Sequence, residues 1–274
     1  MTSSSALMPQ PFLILKKQQE SQDVFTLTIA NADKKPISFF PGQFNMLYAF
    51  GVGESAISIS SSPENQEHIS HTIRIVGSVT RNLDKLSEGE TIFVRGPFGK
   101  HWPIDNYKGK SFLLLAGGIG IAPLRSLIYQ LISKRADFAD ITLIYGARTP
   151  QDILYSQEFS QWKKSINIIL TVDHALKTWA DNVGVITQFI PNTIKDPENT
   201  IIMMCGPELM MRFGYYALRH EGVKPEHIYL SMERNMQCAI GQCGHCQWGP
   251  YFICKDGPVM NFKNIEACFF KNEL

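Results

Sequence analysis

Between Pro11 and about Gly99 apolar and polar residues alternate in short runs broken by turn residues. A period of two places successive side chains on opposite faces of a strand. The runs predict strands at Phe12–Lys17, Val24–Ile29, Gly42–Tyr48, Ala56–Ser60, Thr72–Val76 and Thr91–Arg95, with Glu20–Asp23 as the first turn. One helical stretch interrupts them, Asn82–Leu86, with Thr80 as its expected N-cap. Many short strands and few helix signals predict a small antiparallel barrel or sandwich.

At Lys110 the pattern changes. Ser111–Ala116 is a continuous apolar run, as expected of a central parallel strand covered on both faces. Further strands are predicted at Ile141–Tyr145, Asn167–Thr171, Thr200–Cys205 and His227–Leu230, and helices at Leu124–Ser133, Asp152–Lys164 and Glu208–His220. This alternation predicts a parallel sheet with helices on both faces and ligands at the carboxyl ends of its strands. Ser231–Met236 then leads into a cysteine-rich segment, after which Lys255–Met260 reads as a turn entering a short strand. The expected fold class is β-barrel plus α/β: a tail over 1–10, a barrel over 11–105, a nucleotide-binding α/β domain over 106–230 and a cysteine loop region over 231–274.

Composition narrows the partners. Of 274 residues, 44% are hydrophobic and 19% charged, an ordinary globular balance. A formal net charge of +1 gives no electrostatic case for nucleic acid or an anionic membrane. No apolar run approaches the roughly 20 residues of a membrane span. The Ser-rich start lacks the basic-then-apolar build of a signal peptide. A cytoplasmic location follows as the expectation, with thiols reduced and free to bind metal.

Four of six cysteines fall in one stretch, Cys238, Cys243, Cys246 and Cys254, spaced C-x4-C-x2-C-x7-C. The first three positions have the spacing with which plant-type ferredoxins hold a 2Fe–2S cluster. Gly241, Gly244 and Gly249 lie between them, where a loop closing round negative sulfur needs freely turning backbone and close N–H donors. The competing readings are a zinc knuckle and a pair of disulfides. Structural zinc favours two short clips, unlike the long last gap here. His245, between two cysteines, reads as a loop residue, and Cys268 as packing.

Gly117-Gly118-Ile119-Gly120-Ile121-Ala122-Pro123 follows the first parallel strand and opens a helix. Glycines there let backbone close on a pyrophosphate that the helix start faces, and Pro123 suits a first turn. Cys205-Gly206-Pro207 sits at the end of another strand. Cys205 alone would read as a small buried hydrophobe; its neighbours favour a site. Met203, Met204, Met210 and Met211 read as core filling.

Three further pieces, Pro41-Gly42-Gln43-Phe44, Ser58-Ile59-Ser60-Ser61-Ser62-Pro63 and Arg74-Ile75-Val76-Gly77-Ser78-Val79-Thr80, are weak singly. In this order they resemble the flavin-binding barrel of the ferredoxin–NADP reductase family, and Cys205-Gly206-Pro207 resembles its motif beside the nicotinamide. The resemblance implies flavin contacts at Ser58, Ile59, Ser60, Ile75, Gly77 and Thr80, and dinucleotide contacts at Gly117, Gly118, Gly120, Pro123, Cys205, Gly206 and Pro207. One departure stands out: the family commonly has an arginine where this chain has Ser55. Arg74 and Arg81 are the candidates to replace that cation.

Ser231–Cys238, Cys243–Cys246 and Cys254–Pro258 extend the likeness over residues 11 to 265. The order of parts resembles one branch of that superfamily: the gamma subunit of NAD(P)-linked nickel–iron hydrogenases, the corresponding subunit of anaerobic sulfite reductase and the electron-transfer subunit of dihydroorotate dehydrogenase. The dihydroorotate branch generally has a longer third gap than the seven residues here. The branch places a glutamate near the flavin, a role that falls to Glu233; pairing with Arg234 or a lysine is its other reading. The resemblance implies FAD, a 2Fe–2S cluster on the four cysteines, NAD(P)H as substrate and a redox partner subunit. It implies no choice between NAD and NADP: Arg148 near the second strand end is a lone cation, with Asp152 close behind. The rival from another class is a non-catalytic scaffold binding zinc or nucleotide, favoured by the missing arginine.

Overall fold

The computed structural model describes residues 6–175 and 177–271. Residues 1–5 of the expected tail lie outside these; Gln10 already begins the first strand.

The first half is a six-stranded antiparallel sheet of β1 (Gln10–Ser21), β2 (Val24–Asn31), β3 (Phe44–Ala49), β4 (Gly53–Ser58), β5 (Ile69–Arg74) and β6 (Thr91–Phe98). Their order is β4-β3-β6-β1-β2-β5. The two ends meet where Ile59 bridges His71 and Ser60 N–H donates to the Ser70 carbonyl at 2.8 Å, which curls the sheet into a barrel. Phe25, Leu27, Ile29, Leu47, Ile69 and Ile73 fill it. Strands β4 and β5 lie a few residues earlier than the predicted Ala56–Ser60 and Thr72–Val76. The helix differs too: α1 spans Ser78–Leu83, with Gly77 as N-cap and Thr80 inside the first turn. Thr80 Oγ1 accepts from the N–H groups of both Val76 and Gly77, at 3.0 Å each. The side chain therefore caps from within the helix, a role that strand-to-helix spacing does not reveal.

The second sheet contains β7 (Ser111–Gly117), β8 (Ile141–Ala147), β9 (Asn167–Val172), β10 (Asn182–Val183), β11 (Thr200–Cys205), β12 (Ile228–Ser231) and β15 (Val259–Asn261), in the order β10-β9-β8-β7-β11-β12-β15. All pairings are parallel except that of β15 on β12. Along β7 the apolar run splits by face: Phe112, Leu114 and Ala116 enter one core, Leu113 and Leu115 the other. Helices α2 (Ile121–Ser133), α3 (Phe159–Trp162) and α4 (Glu208–His220) cover the sheet.

No continuous helix runs over Asp152–Lys164; only α3, Phe159–Trp162, is α-helical there. Short 3-10 turns at Pro150–Asp152 and Ser156–Glu158 precede α3, and Tyr155 between them has φ of 60°. That left-handed residue stops helical hydrogen bonding. It carries the buried Tyr155 ring across to the barrel, where the hydroxyl donates to Thr72 Oγ1 at 2.6 Å. Ser126 Oγ, donating to the Ile59 carbonyl at 3.1 Å, makes a second tie between the two halves.

The C-terminal segment adds a two-stranded ribbon of β13 (Gln247–Trp248) and β14 (Tyr251–Phe252), then α5 (Ile253–Asp256) and α6 (Phe262–Phe269). Its strand β15 completes the parallel sheet. Lys100 N–H from the end of the barrel donates to the Gly257 carbonyl at 2.5 Å, so the cysteine segment touches both halves.

Candidate functional site

A cleft of about 680 Å³ opens where the three parts meet. Glu54, Ser55 and Ala56 of β4 form one wall, Gly206, Pro207, Glu208 and Met211 a second, and the stretch from Met232 to Gln237, with His245, the third. Strand ends converge there because β11 and β12 are parallel neighbours and the chain leaves both on the same side.

The nucleotide side is built by close backbone approach. Gly118 has φ of 54°, in the left-handed region that glycine enters without penalty. At Gly120 a Cβ would collide with the Cys205 carbonyl and come within 2.7 Å of Gly206 N. The glycine turn and the Cys205–Pro207 turn are thus pressed together, two strand ends sharing one edge. The Met210 thioether lies over Gly117 and Gly206, so this methionine roofs the turns while also packing against the core, in which Met203, Met204 and Met211 are buried. Pro123 is buried in the first turns of α2, its carbonyl accepting from Trp102 Nε1 at 3.3 Å. Cys205 is buried, and burial pushes its thiol up to about 12 against a hydrogen bond with Ser231. It is a neutral thiol at any ordinary pH.

On the barrel side, Ser58 ends β4 half-buried, its carbonyl held by His71 Nδ1 at 3.0 Å. Ile59 turns inward, while Ser60 is buried on the other face. Ile59 fills the barrel core, and Ser60 Oγ bonds the Ser70 carbonyl and Thr72 Oγ1. The Ser60 side chain thus lies on the face opposite Ile59, at Thr72 Oγ1, where Tyr155 of the nucleotide half also binds. Ile75 and Gly77 are half-buried beside the start of α1. Arg74, at the end of β5, brings its guanidinium within 3.7 Å of where a Gly118 Cβ would stand, with Asp23 at 3.4 Å. The Asp23 contact is made by the buried Nε as an ion pair without hydrogen-bond geometry. Arg81 instead donates to the Val76 carbonyl from an exposed position. Of the two candidate cations, only Arg74 stands between the barrel and the glycine turn.

The four cysteines gather in two pairs. Cys238 faces Cys243, and Cys246 faces Cys254. Main-chain N–H groups point at the sulfurs: Gln242 and Cys243 to Cys238 at 3.3 and 3.4 Å, His245 to Cys243 at 3.5 Å, Gly241 to Cys254 at 3.2 Å and Cys254 to Cys246 at 3.4 Å. Positive φ at Ala239, Gly241 and Gly244 folds the loop so that these donors turn inward. Burial pulls the Cys238 thiol upward, but the N–H groups of Ile240, Cys243 and Gln242 outweigh it and bring the thiol down to about 6. Cys254 goes the other way: burial, then the Cys246 thiol beside it, push it up to about 12. Two pairs of thiols, each with backbone donors, fit a two-iron cluster, in which each metal takes two cysteines. Cys243 is exposed while Cys246 and Cys254 are buried, so the group has one outward edge. All six cysteines are free, and Cys268 packs its sulfur on Gly249.

Glu233 is exposed; Arg234 bonds its main-chain carbonyl at 3.0 Å and lies over the Trp248 ring. Residue patterning missed Met210, Glu54 and Arg95, since a lone charge or thioether carries no spacing signal.

A flavin-type barrel followed by a dinucleotide sheet defines a ferredoxin–NADP reductase-like oxidoreductase. Three family models match in the same order: an oxidoreductase FAD-binding domain over residues 11–102, an oxidoreductase NAD-binding domain over 114–214, and the iron–sulfur cluster binding domain of dihydroorotate dehydrogenase B over 233–266. The gamma subunit of sulfhydrogenase 1 from Pyrococcus furiosus is 39% identical over 83% of this chain and 81% of its own. A probable dihydroorotate dehydrogenase B electron-transfer subunit from Methanocaldococcus jannaschii is 35% identical over 92% and 90%. A solved NADH-dependent reduced ferredoxin–NADP oxidoreductase superposes with a TM-score of 0.75 at 26% identity, over 96% of this chain and 94% of that one. The chain belongs to the family of sulfhydrogenase gamma and dihydroorotate dehydrogenase electron-transfer subunits, NAD(P)H-linked oxidoreductases with FAD-binding, NAD-binding and iron–sulfur domains.

Proposed function

We propose that this chain carries electrons between NAD(P)H and a partner redox subunit through FAD in the cleft and a 2Fe–2S cluster on Cys238, Cys243, Cys246 and Cys254. The observation that carries the reading is the cleft itself: barrel strand, nicotinamide-side turn and cysteine loop line one space. When bound, FAD and the cluster supply the division of a two-electron hydride into single electrons. The residues do the rest. Ser58 and the N–H groups at the start of α1 hold the flavin side, with Arg74 as the phosphate-pairing cation in place of the arginine missing at Ser55. The turns at Gly117–Gly120 and Cys205–Pro207 hold the dinucleotide by backbone, with Met210 as a roof over them and the neutral Cys205 at the nicotinamide end. Glu233 closes the cleft from the third wall. The outward Cys243 marks the exit toward a partner.

Among the described residues no helix is long and apolar enough to cross a membrane. Free cysteines support a reducing compartment, the cytoplasm. The seven-residue gap between Cys246 and Cys254 favours a partner of hydrogenase or sulfite-reductase type, over that of dihydroorotate dehydrogenase. Domain boundaries near residues 105 and 230 go with this reading. Anaerobic purification followed by flavin, iron and sulfide analysis and an electron-spin spectrum of the dithionite-reduced protein tests it. One FAD, two irons and a spectrum of a reduced 2Fe–2S centre are expected per chain. Colourless protein, or zinc in place of iron, would refute it.

A further inference from the structure

Arg95 is a buried cation on β6 beside β3, outside the barrel core that Ile92 and Val94 fill, and far in sequence from anything it holds. Its fork takes Glu54 bidentately, Nε to Oε1 at 2.8 Å and Nη2 to Oε2 at 2.6 Å. The remaining N–H groups go to main-chain carbonyls: Nη2 to Gln237 at 2.9 Å, Nη1 to Cys238 at 3.1 Å and Nη1 to Ala6 at 3.2 Å. All five guanidinium donors are therefore used. The side chain is 4% exposed, and the Phe98 ring covers it, 5.6 Å from Cζ.

A buried ion pair alone says little, because apolar replacements are often as stable. The direction of the other donors says more. They grip the carbonyl of the first cysteine and that of the residue before it. The next residue, Ala239, has φ of 62°, a conformation that a non-glycine residue keeps only where its surroundings hold it. From that bend Gln242 and Cys243 direct their N–H groups back onto Cys238 Sγ. Glu54, the other half of the pair, also lines the cleft beside Ser55 and Ala56.

We propose that Arg95, braced by Glu54, is a positioning residue that clamps the Cys238 end of the cluster loop to the flavin barrel and, with Glu54, balances charge beside the cluster. The inference rests on the cluster reading above. With both partners present the pair is neutral. With one removed, an uncompensated charge remains a few bonds from Cys238 in a water-poor setting, where it acts strongly on an electron entering the cluster.

The test is the cluster's midpoint potential and electron-spin spectrum in anaerobically prepared full-length protein. Glu54→Gln leaves the cation and is expected to raise the potential; Arg95→Met leaves the carboxylate and is expected to lower it. Arg95→Lys keeps the charge but not the fork, so its potential stays nearer the wild type while the spectrum changes, as the Cys238 main chain shifts. Flavin-to-cluster transfer, followed by stopped flow, slows by about tenfold or more in Arg95→Met. Shifts of opposite sign are beyond a merely structural role. Unmoved potentials in both Glu54→Gln and Arg95→Met, with iron present, would overturn the clamp alone. So would parallel loss of flavin and iron from Arg95→Lys, which would make the arginine a general folding residue. Wild-type protein without iron would instead refute the underlying cluster reading, and the clamp with it.

Discussion

His71 shows how much one side chain can set at the residue scale. It is wholly buried on β5, with Nδ1 donating to the Ser58 carbonyl and Nε2 taking Asn45 Nδ2 at 3.2 Å. Burial lowers its pKa from 6.5 to about 4, against the hydrogen bonds to Ser58 and Ile57. The unfolded chain therefore binds a proton between those values that the folded one refuses. The contribution is fully present above pH 6.5 and is lost as pH falls toward 4, a change of roughly 3 kcal/mol. Urea unfolding at steps across that window should show the slope in the wild type and a flatter profile in His71→Gln. Equal slopes would place the titration elsewhere. At this scale the cysteines were legible, because cluster binding needs four thiols at short intervals. Arg95 and His71 were not. Each takes its meaning from partners tens of residues away, and a single cation or imidazole leaves no periodic trace.

Among elements, the turn at Gly117–Gly120 was readable as a phosphate loop from a buried strand, its glycines and a helix start. What was not readable is which glycine tolerates nothing larger. Gly120 faces the Cys205 carbonyl of the neighbouring strand, a contact that exists only because β7 and β11 pair in parallel. Gly120→Ala is expected to push the two turns apart at a cost of about 1–3 kcal/mol, as overpacking does. Reduction of bound flavin by NAD(P)H should weaken accordingly, with a raised KM, while flavin content stays the same. An unchanged KM would mean that the turns do not share the dinucleotide. The failed helix over Asp152–Lys164 teaches the converse. Ile153, Phe159 and Trp162 do point into the core, as their apolar character predicts, yet Tyr155 breaks the helix by turning its hydroxyl to the barrel. A tertiary contact outcompeted local propensity.

In the whole molecule, shared apolar cores joining Val24 to Leu114 and Phe44 to Leu113 are supplemented by polar ties between the parts. Thr72 Oγ1 receives Tyr155 from the nucleotide half and meets Ser60 and Thr26 within the barrel. Removing that hydroxyl in Tyr155→Phe should cost about 1 kcal/mol, a fall of about 2 °C in the melting midpoint, since Thr72 keeps its other partners. A loss several times larger, with free flavin released, would show that this bond governs docking of the two halves. The cysteine segment, expected as a loop region, is built in: β15 extends the nucleotide sheet, and Phe262 and Ile265 are fully buried in its core.

Local chemistry, then, was decided by the chain alone: strand periodicity, glycine turns and cysteine spacing act over a few residues, where sterics and ligand geometry allow few alternatives. Assembly was decided by the tertiary structure. Which cation stands at the glycine turn, which methionine roofs it and which arginine grips Cys238 depend on surfaces brought together from distant stretches of the chain. Burial, which makes those charges and hydrogen bonds matter, exists only once the three parts have closed on one another.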